Sequence, residues 1–312
     1  MRIESDKLPR PGGPRFLTDG GLETTLVFHD QLELPEFASF VLLENDAGRN
    51  TLLDYYRRYL DIAAETGAGF VLETATWRAN PDWMTKLGYD DAAFERVNRD
   101  AVAMLEALRD EYAGKCSPIV VSGNMGPRGD GYVVNEQMSM AEAAQYHGAQ
   151  IRVFADAGVD VVTAITMTHP GEAAGIVAAA NRAGLPSVIG FTTETDGRLP
   201  SGATLAEAIG EVDRDTQGGP AYYMINCAHT DHFSEALAEN EDWTSRIQGI
   251  RANASRLSHA ELDEMDVLDD GDPQEFGESY RQLADRMPWL RVFGGCCGTD
   301  HRHIQALQQA IG

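Results

Sequence analysis

The chain has 312 residues, with 25 Lys and Arg against 49 Asp and Glu, a formal net charge of −24. That balance excludes a nucleic-acid partner, whose phosphates need a Lys/Arg face, and disfavours an anionic membrane surface. The hydrophobic share of 43% and charged share of 24% exclude a disordered or fibrous chain, and the acidity reads as solubility.

No apolar run approaches the ~18 residues that span a bilayer, and the N-terminal stretch lacks the apolar core of a signal peptide. A cytoplasmic location is expected, where four cysteines (Cys116, Cys227, Cys296, Cys297) are poor disulfide candidates. Short runs rich in Val, Ile and Phe occur at 16–18, 69–72, 118–121, 159–163, 187–191, 221–225, 247–250 and 290–293. Helical patterns alternate with them at 52–66, 94–112, 141–157, 172–183, 205–213, 234–238, 280–286 and 301–311. Eight strand–helix alternations predict an α/β fold of parallel strands, and the closed (β/α)8 TIM barrel is favoured over an open sheet. No composition break divides the chain, so one barrel domain over 1–312 is expected. The polar, acidic stretch 251–277 reads as a long rim loop.

In such a barrel the chemistry sits just past the C-terminal ends of the strands. The unusual residues cluster there: Asp19-Gly20-Gly21 after the first run, Glu73 to Trp77 after the second, Gly123 to Pro127 after the third. Asn226-Cys227 follows the sixth, and Gly294-Gly295-Cys296-Cys297-Gly298-Thr299 the eighth. A closed barrel lets Cys227, Cys296 and Cys297 converge, and three thiolates suit Zn2+ with a fourth position left open. The alternative is two small buried hydrophobes and an unrelated Cys227, 69 residues before Cys296. His229, His301 and His303 lie near the cysteines, but the last two fall in the first turn of the final helix, behind Thr299 or Asp300 as N-cap. Cys116, before the third strand, is at the wrong end of the barrel and reads as structural.

The chain resembles the homocysteine S-methyltransferase family. The likeness rests on Asp19-Gly20-Gly21, Gly123 to Pro127, Phe191-Thr192-Thr193 with Asp196-Gly197-Arg198 and Ser201-Gly202, then Asn226-Cys227 and the Gly294 to Thr299 segment. It implies zinc held by Cys227, Cys296 and Cys297 at the C-terminal face of the barrel. It also implies methyl transfer to the thiol of homocysteine, giving methionine, with no catalytic group beyond the zinc-activated substrate thiol. Asp19 is expected to hold the amino group of the acceptor, with the Gly20-Gly21 backbone and Asn226 nearby. The resemblance breaks at Ile165, where the family's usual Glu is absent; Glu73 and Glu194 are the candidates to replace it. A small onium donor would suit Trp77 and Glu73.

The expected partners are a small-molecule thiol acceptor and a methyl donor, with room for a homo-oligomer. No phosphate loop, dinucleotide fingerprint, HExxH or GxSxG is present. Two other readings stand beside this one: the same zinc chemistry on a different thiol, and a non-catalytic zinc or thiol-redox protein.

Overall fold

The computed structural model describes residues 8–134, 137–237, 241–265 and 267–312. Eight parallel strands close into a barrel in chain order: β1 (Phe16–Leu17), β2 (Gly69–Glu73), β3 (Ile119–Met125), β4 (Val161–Met167), β5 (Ser187–Phe191), β6 (Tyr222–Asn226), β7 (Ile247–Ala252) and β8 (Val292–Gly295). Phe16 pairs with Gly69 on one side and Val292 on the other, which closes the ring. This is the expected (β/α)8 barrel. Among the described residues no helix is long and apolar enough to cross a membrane.

The strands alternate between two apolar environments, as a period of two requires. Phe70 and Leu72 of β2 pack outward against the helices, whereas Val71 joins Phe16, Val120, Val161, Ile165, Val188, Met224 and Val292 inside the barrel. Glu73, two residues after Val71, therefore points inward at the top of β2. Arg251 follows the outward Ile250 of β7 and likewise turns inward.

Three expectations need correction. The helix expected at 234–238 is instead Thr230–Phe233, started by His229 as N-cap, and residues 234–237 form turns; residue 238 lies outside the described residues. The stretch 251–277 is not one loop: β7 runs to Ala252, and helices His259–Asp263 and Pro273–Arg286 interrupt the rest, residue 266 lying outside the described residues. β3 continues to Met125, so Gly123 and Asn124 belong to the strand and not to its mouth.

Candidate active site

Cys227, Cys296 and Cys297 meet at the C-terminal face of the barrel, with their three sulfurs all within 4.8 Å of one another. Cys227 follows β6 with φ of 54°, a left-handed conformation that is uncommon without a glycine. Cys296 and Cys297 follow β8, where Gly298 at φ of 79° turns the chain back. A Cβ on Gly21 would sit 2.6 Å from the Cys296 carbonyl oxygen, so only glycine lets the first loop approach the cysteine pair. The sulfurs of Cys227 and Cys296 are in contact, and that of Cys297 lies 4.0 Å from that of Cys227. Burial holds the Cys297 thiol above its ordinary pKa, so it stays protonated unless a cation is supplied. Cys116 lies elsewhere, buried, its thiol donating to the Ala68 carbonyl at 3.1 Å and pushed up by burial to about 11, as expected of a structural cysteine.

The cysteines line a cavity of about 590 Å³ together with Asp19, Glu73 and Arg251. Arg251 donates to Asp19 Oδ1 at 2.6 Å, to Glu73 Oε2, and to the carbonyl oxygens of Gly295 at 3.0 Å and Gly20 at 3.2 Å. Tyr55 donates to the other Asp19 oxygen at 3.1 Å. All three charged side chains are buried, and two carboxylates against one guanidinium leave one negative charge without a partner. The titration behaviour follows. Burial raises Glu73 to about 7 despite the opposing pull of Arg251, and burial likewise raises Asp19. Burial works against the charge of Arg251, but Asp19 and Glu73 outweigh it and keep the guanidinium ionised.

Ile165 lines the same cavity from β4. It sits on the inward face with Val161, so the carboxylate missing at Ile165 is missing from the cavity itself. Glu73 is a carboxylate that the cavity holds instead, beside Asp19. Glu194 is half-exposed, outside the cavity lining, and 3.4 Å from His259. Gly20 and Gly21 line the cavity, but the Gly21 amide is already bonded to the Thr299 carbonyl at 3.0 Å. Asn226 is fully buried, and both ends of its amide serve Thr166: Oδ1 accepts from the Thr166 amide at 2.9 Å, and Nδ2 donates to the Thr166 hydroxyl at 2.9 Å. Asn226 therefore reaches the site through Thr166, whose hydroxyl lies 3.9 Å from Cys227 Sγ. Thr166 has φ of 62°, strained for a β-branched residue, at the irregularity where β4 slips register against β5.

Several site residues escaped the sequence reading. Tyr132, from the loop after β3, holds its hydroxyl 3.7 Å from the sulfurs of both Cys227 and Cys297. Its ring rests on His259, with centroids 4.2 Å apart, and His259 Nε2 donates to the Cys227 carbonyl. Arg251 and Arg78 also line the cavity. None of these carries a local motif. The one usable signal was an arginine directly after an apolar run.

Three clustered cysteines fit a zinc ion by donor chemistry, and the Cys227–Cys297 pair fits it by spacing as well. Tetrahedral Zn–S bonds of ~2.3 Å put sulfurs about 3.8 Å apart, and Cys227 and Cys297 stand at 4.0 Å. Among the described residues no His, Asp or Glu completes the set. His229 accepts from the Asp231 amide at 3.1 Å, and burial lowers it to about 4. His303 is tied to Asp300 and Asp270, and His301 is exposed, with Asp300 as the N-cap of the last helix.

Three cysteine sulfurs at the strand mouths of a (β/α)8 barrel, beside a cavity lined by charged groups, are the donor set of an enzyme class that activates thiols. Residues 16–311 match the family described as Homocysteine S-methyltransferase, and the chain belongs to that family of methyltransferases. It is 20% identical to Homocysteine S-methyltransferase 1 of Arabidopsis thaliana, over 98% of this chain and 96% of that one. It is 23% identical to Homocysteine S-methyltransferase YbgG of Bacillus subtilis, over 94% and 93%. Its fold superposes on the homocysteine methyltransferase MmuM of Escherichia coli, solved in a metallated form, with a TM-score of 0.71, 21% identity and 96% of each chain covered.

Proposed function

We propose that Cys227, Cys296 and Cys297 hold one zinc ion and that the chain transfers a methyl group from a small onium donor to the thiol of homocysteine, giving methionine. The observation that carries this reading is the meeting of three thiols and a carboxylate-rich charge cluster in one cavity. Zinc, when bound, supplies the Lewis acidity that strips the proton from a coordinated thiol. The ammonium group of homocysteine binds between Asp19 and Glu73, where it neutralises the one charge that Arg251 leaves unpaired. Glu73 thereby replaces the carboxylate absent at Ile165. Gly20 and Gly21 keep the first loop close enough for Asp19 to reach the acceptor.

The donor enters beside Trp77, and its methyl carbon meets the acceptor sulfur in line. A sulfur lone pair forms the new S–CH3 bond as the donor's own bond to that methyl breaks. The departing electron pair leaves with a neutral sulfide or amine. Positioning is the chain's main contribution, and no covalent enzyme intermediate is needed. The reaction needs all three thiols reduced, which suits the cytosol, and its partners are small molecules.

The test is methionine formation by reduced, zinc-loaded protein from homocysteine and a panel of onium donors, with Cys296→Ser as control. The reading predicts product with the native protein and loss of both zinc and product with the variant. Ile165 favours one other reading, methylation of a thiol without an ammonium group. In that case Glu73→Gln should leave acceptor binding unchanged.

A further inference from the structure

Cys227 sits where the backbone ladder between β6 and β7 skips a group. Its amide donates to the Arg251 carbonyl at 3.1 Å, and the next bond, from the Asn253 amide at 3.0 Å, goes to the Ala228 carbonyl. The ladder thereby passes over the Cys227 carbonyl. A buried carbonyl needs a donor, and side chains from two other loops supply one each. The Thr192 hydroxyl, after β5, donates to it at 3.3 Å, and so does Nε2 of His259, the first residue of the helix His259–Asp263 after β7. A carbonyl only accepts, so Nε2 carries the proton.

The imidazole is itself held on its other sides. Nδ1 faces Glu194 Oε1 at 3.4 Å, and the Tyr132 ring rests against it with centroids 4.2 Å apart. Glu194 is fixed by a turn: its amide donates to the Arg198 carbonyl at 2.8 Å, and its carbonyl accepts from the Gly197 amide at 2.9 Å. Gly197 has φ of 77°, and a Cβ there would lie 2.9 Å from the His232 carbonyl oxygen, so the turn needs glycine. The backbone of His259 is fixed by the cap of its helix. The Ser258 amide donates to the Glu261 carboxylate at 2.9 Å, and the Ser258 hydroxyl accepts from the Glu261 amide at 3.3 Å. His259 thus ties the loops after β3, β5 and β7 to a single cysteine on β6.

Cys227 needs that hold. Its φ of 54° is a left-handed conformation that a residue with a Cβ keeps only when its surroundings enforce it. A change of that dihedral swings the Cβ–Sγ bond, and the three sulfurs meet within 4.8 Å only while it is kept. We propose that His259 is a positioning residue of the metal centre: its Nε2–H fixes Cys227 in the conformation that ligation requires, and Glu194 fixes the ring. This rests on the zinc reading above and goes beyond its three ligands. His259 acts through the backbone of Cys227 and leaves the reacting atoms to the thiol site. Hydrogen bonds that orient a ligand are commonly worth about 10- to 100-fold in metal affinity.

The test measures zinc affinity by competition with a chromophoric chelator, on the reduced native chain, His259→Phe and His259→Gln. Phe keeps a ring against Tyr132 and removes the donor, whereas Gln keeps an N–H donor and removes the ring. His259→Phe should weaken zinc binding about 10- to 100-fold, and His259→Gln should recover most of the loss. Cobalt(II) in place of zinc reports the ligands by absorption. Its sulfur-to-metal charge-transfer bands should weaken in His259→Phe and persist in His259→Gln. Urea unfolding of the metal-free proteins separates a purely structural role, which would lower stability and leave the metal affinity of the folded protein unchanged. Glu194→Ala should weaken zinc less than His259→Phe and add nothing in the double variant, since the two act in one chain of contacts.

Native zinc affinity and a native cobalt spectrum in His259→Phe overturn the proposal. So does equal weakening in the Phe and Gln variants, or weakening in Gln alone, which would assign the effect to the ring contact with Tyr132. His259→Leu carries the same comparison if the Phe variant is poorly folded. Zinc binding by the native chain, and its loss in Cys296→Ser, are scored separately. A native chain that binds no zinc defeats the metal reading itself, whereas zinc held equally by the native chain and His259→Phe defeats only the role of His259.

Discussion

Arg251 reaches Asp19 across 232 residues of sequence, with Nη2 2.6 Å from Oδ1, and its other terminal nitrogen holds Glu73. Breaking such a buried network leaves charges that water no longer solvates. Arg251→Met should destabilise the fold by about 3–5 kcal/mol. The loss should be smaller at pH 6 than at pH 8, because protonation relieves the stranded carboxylates. Urea unfolding at the two pH values checks both the size and the sign.

Glu73 titrates near neutrality, and this gives homocysteine binding a pH signature. The groups facing its side chain are Asp19, Arg251, the Thr163 hydroxyl and Tyr222. Its pKa is raised from 4.5 to about 7 in the fold, so the native state binds more protons than the unfolded chain between those values. This group's stabilising contribution is present at low pH and lost as pH rises through about 7. An ammonium ligand prefers the ionised form, so homocysteine affinity should increase over the same rise, with a proton released on binding. Calorimetry in buffers of different ionisation enthalpy reads the protons released, one of them from the coordinated thiol, and Glu73→Gln should remove only the part that changes with pH around 7.

The replacement of one carboxylate by another can be tested by moving it back. Ile165→Glu alone adds a third carboxylate beside Asp19 and Glu73, and it should cost several kcal/mol of stability without tightening homocysteine binding. In a Glu73→Gln background the same change should restore part of the lost affinity. Titration of the two single variants and the double variant measures this, and no rescue would place the ammonium elsewhere. Asp19→Asn should raise the acceptor KM while zinc stays bound.

The barrel was legible in the sequence because its signal is local and periodic. Val, Ile and Phe runs mark all eight strands, and Asp300 caps the last helix as its position suggests. The cysteines were legible because the Gly-rich turn around Cys296 and Cys297 is rare. The Asp19–Glu73–Arg251 cluster was only half legible. Arg251 sits one residue past the point where the seventh apolar run ends, so it reads as the start of a polar loop. In the fold it is the penultimate residue of β7 and faces inward. Its meaning depends on partners that only barrel closure brings near. Tyr132 and Arg78 are loop residues, and no spacing rule tells a cavity-lining loop side chain from a solvated one. The helix expected at 234–238 failed because the His229 cap starts the turn earlier, at Thr230.

The cysteine site makes a prediction about metal content. Zinc should bind at one ion per chain when all three cysteines are thiols, and their oxidation should prevent it. Metal analysis before and after thiol reduction reads this directly. Cys296→Ser should keep little zinc under either condition, and full retention would remove the cysteines from the ligand set.

In the proposed reaction the acceptor thiol joins three protein sulfurs on one metal ion. X-ray absorption at the zinc edge of the reduced, zinc-loaded chain, with and without homocysteine, tests it most directly. The account predicts three sulfur neighbours and one lighter atom without homocysteine, and four sulfur neighbours at ~2.3 Å with it. A shell unchanged by homocysteine at saturating concentration would contradict it.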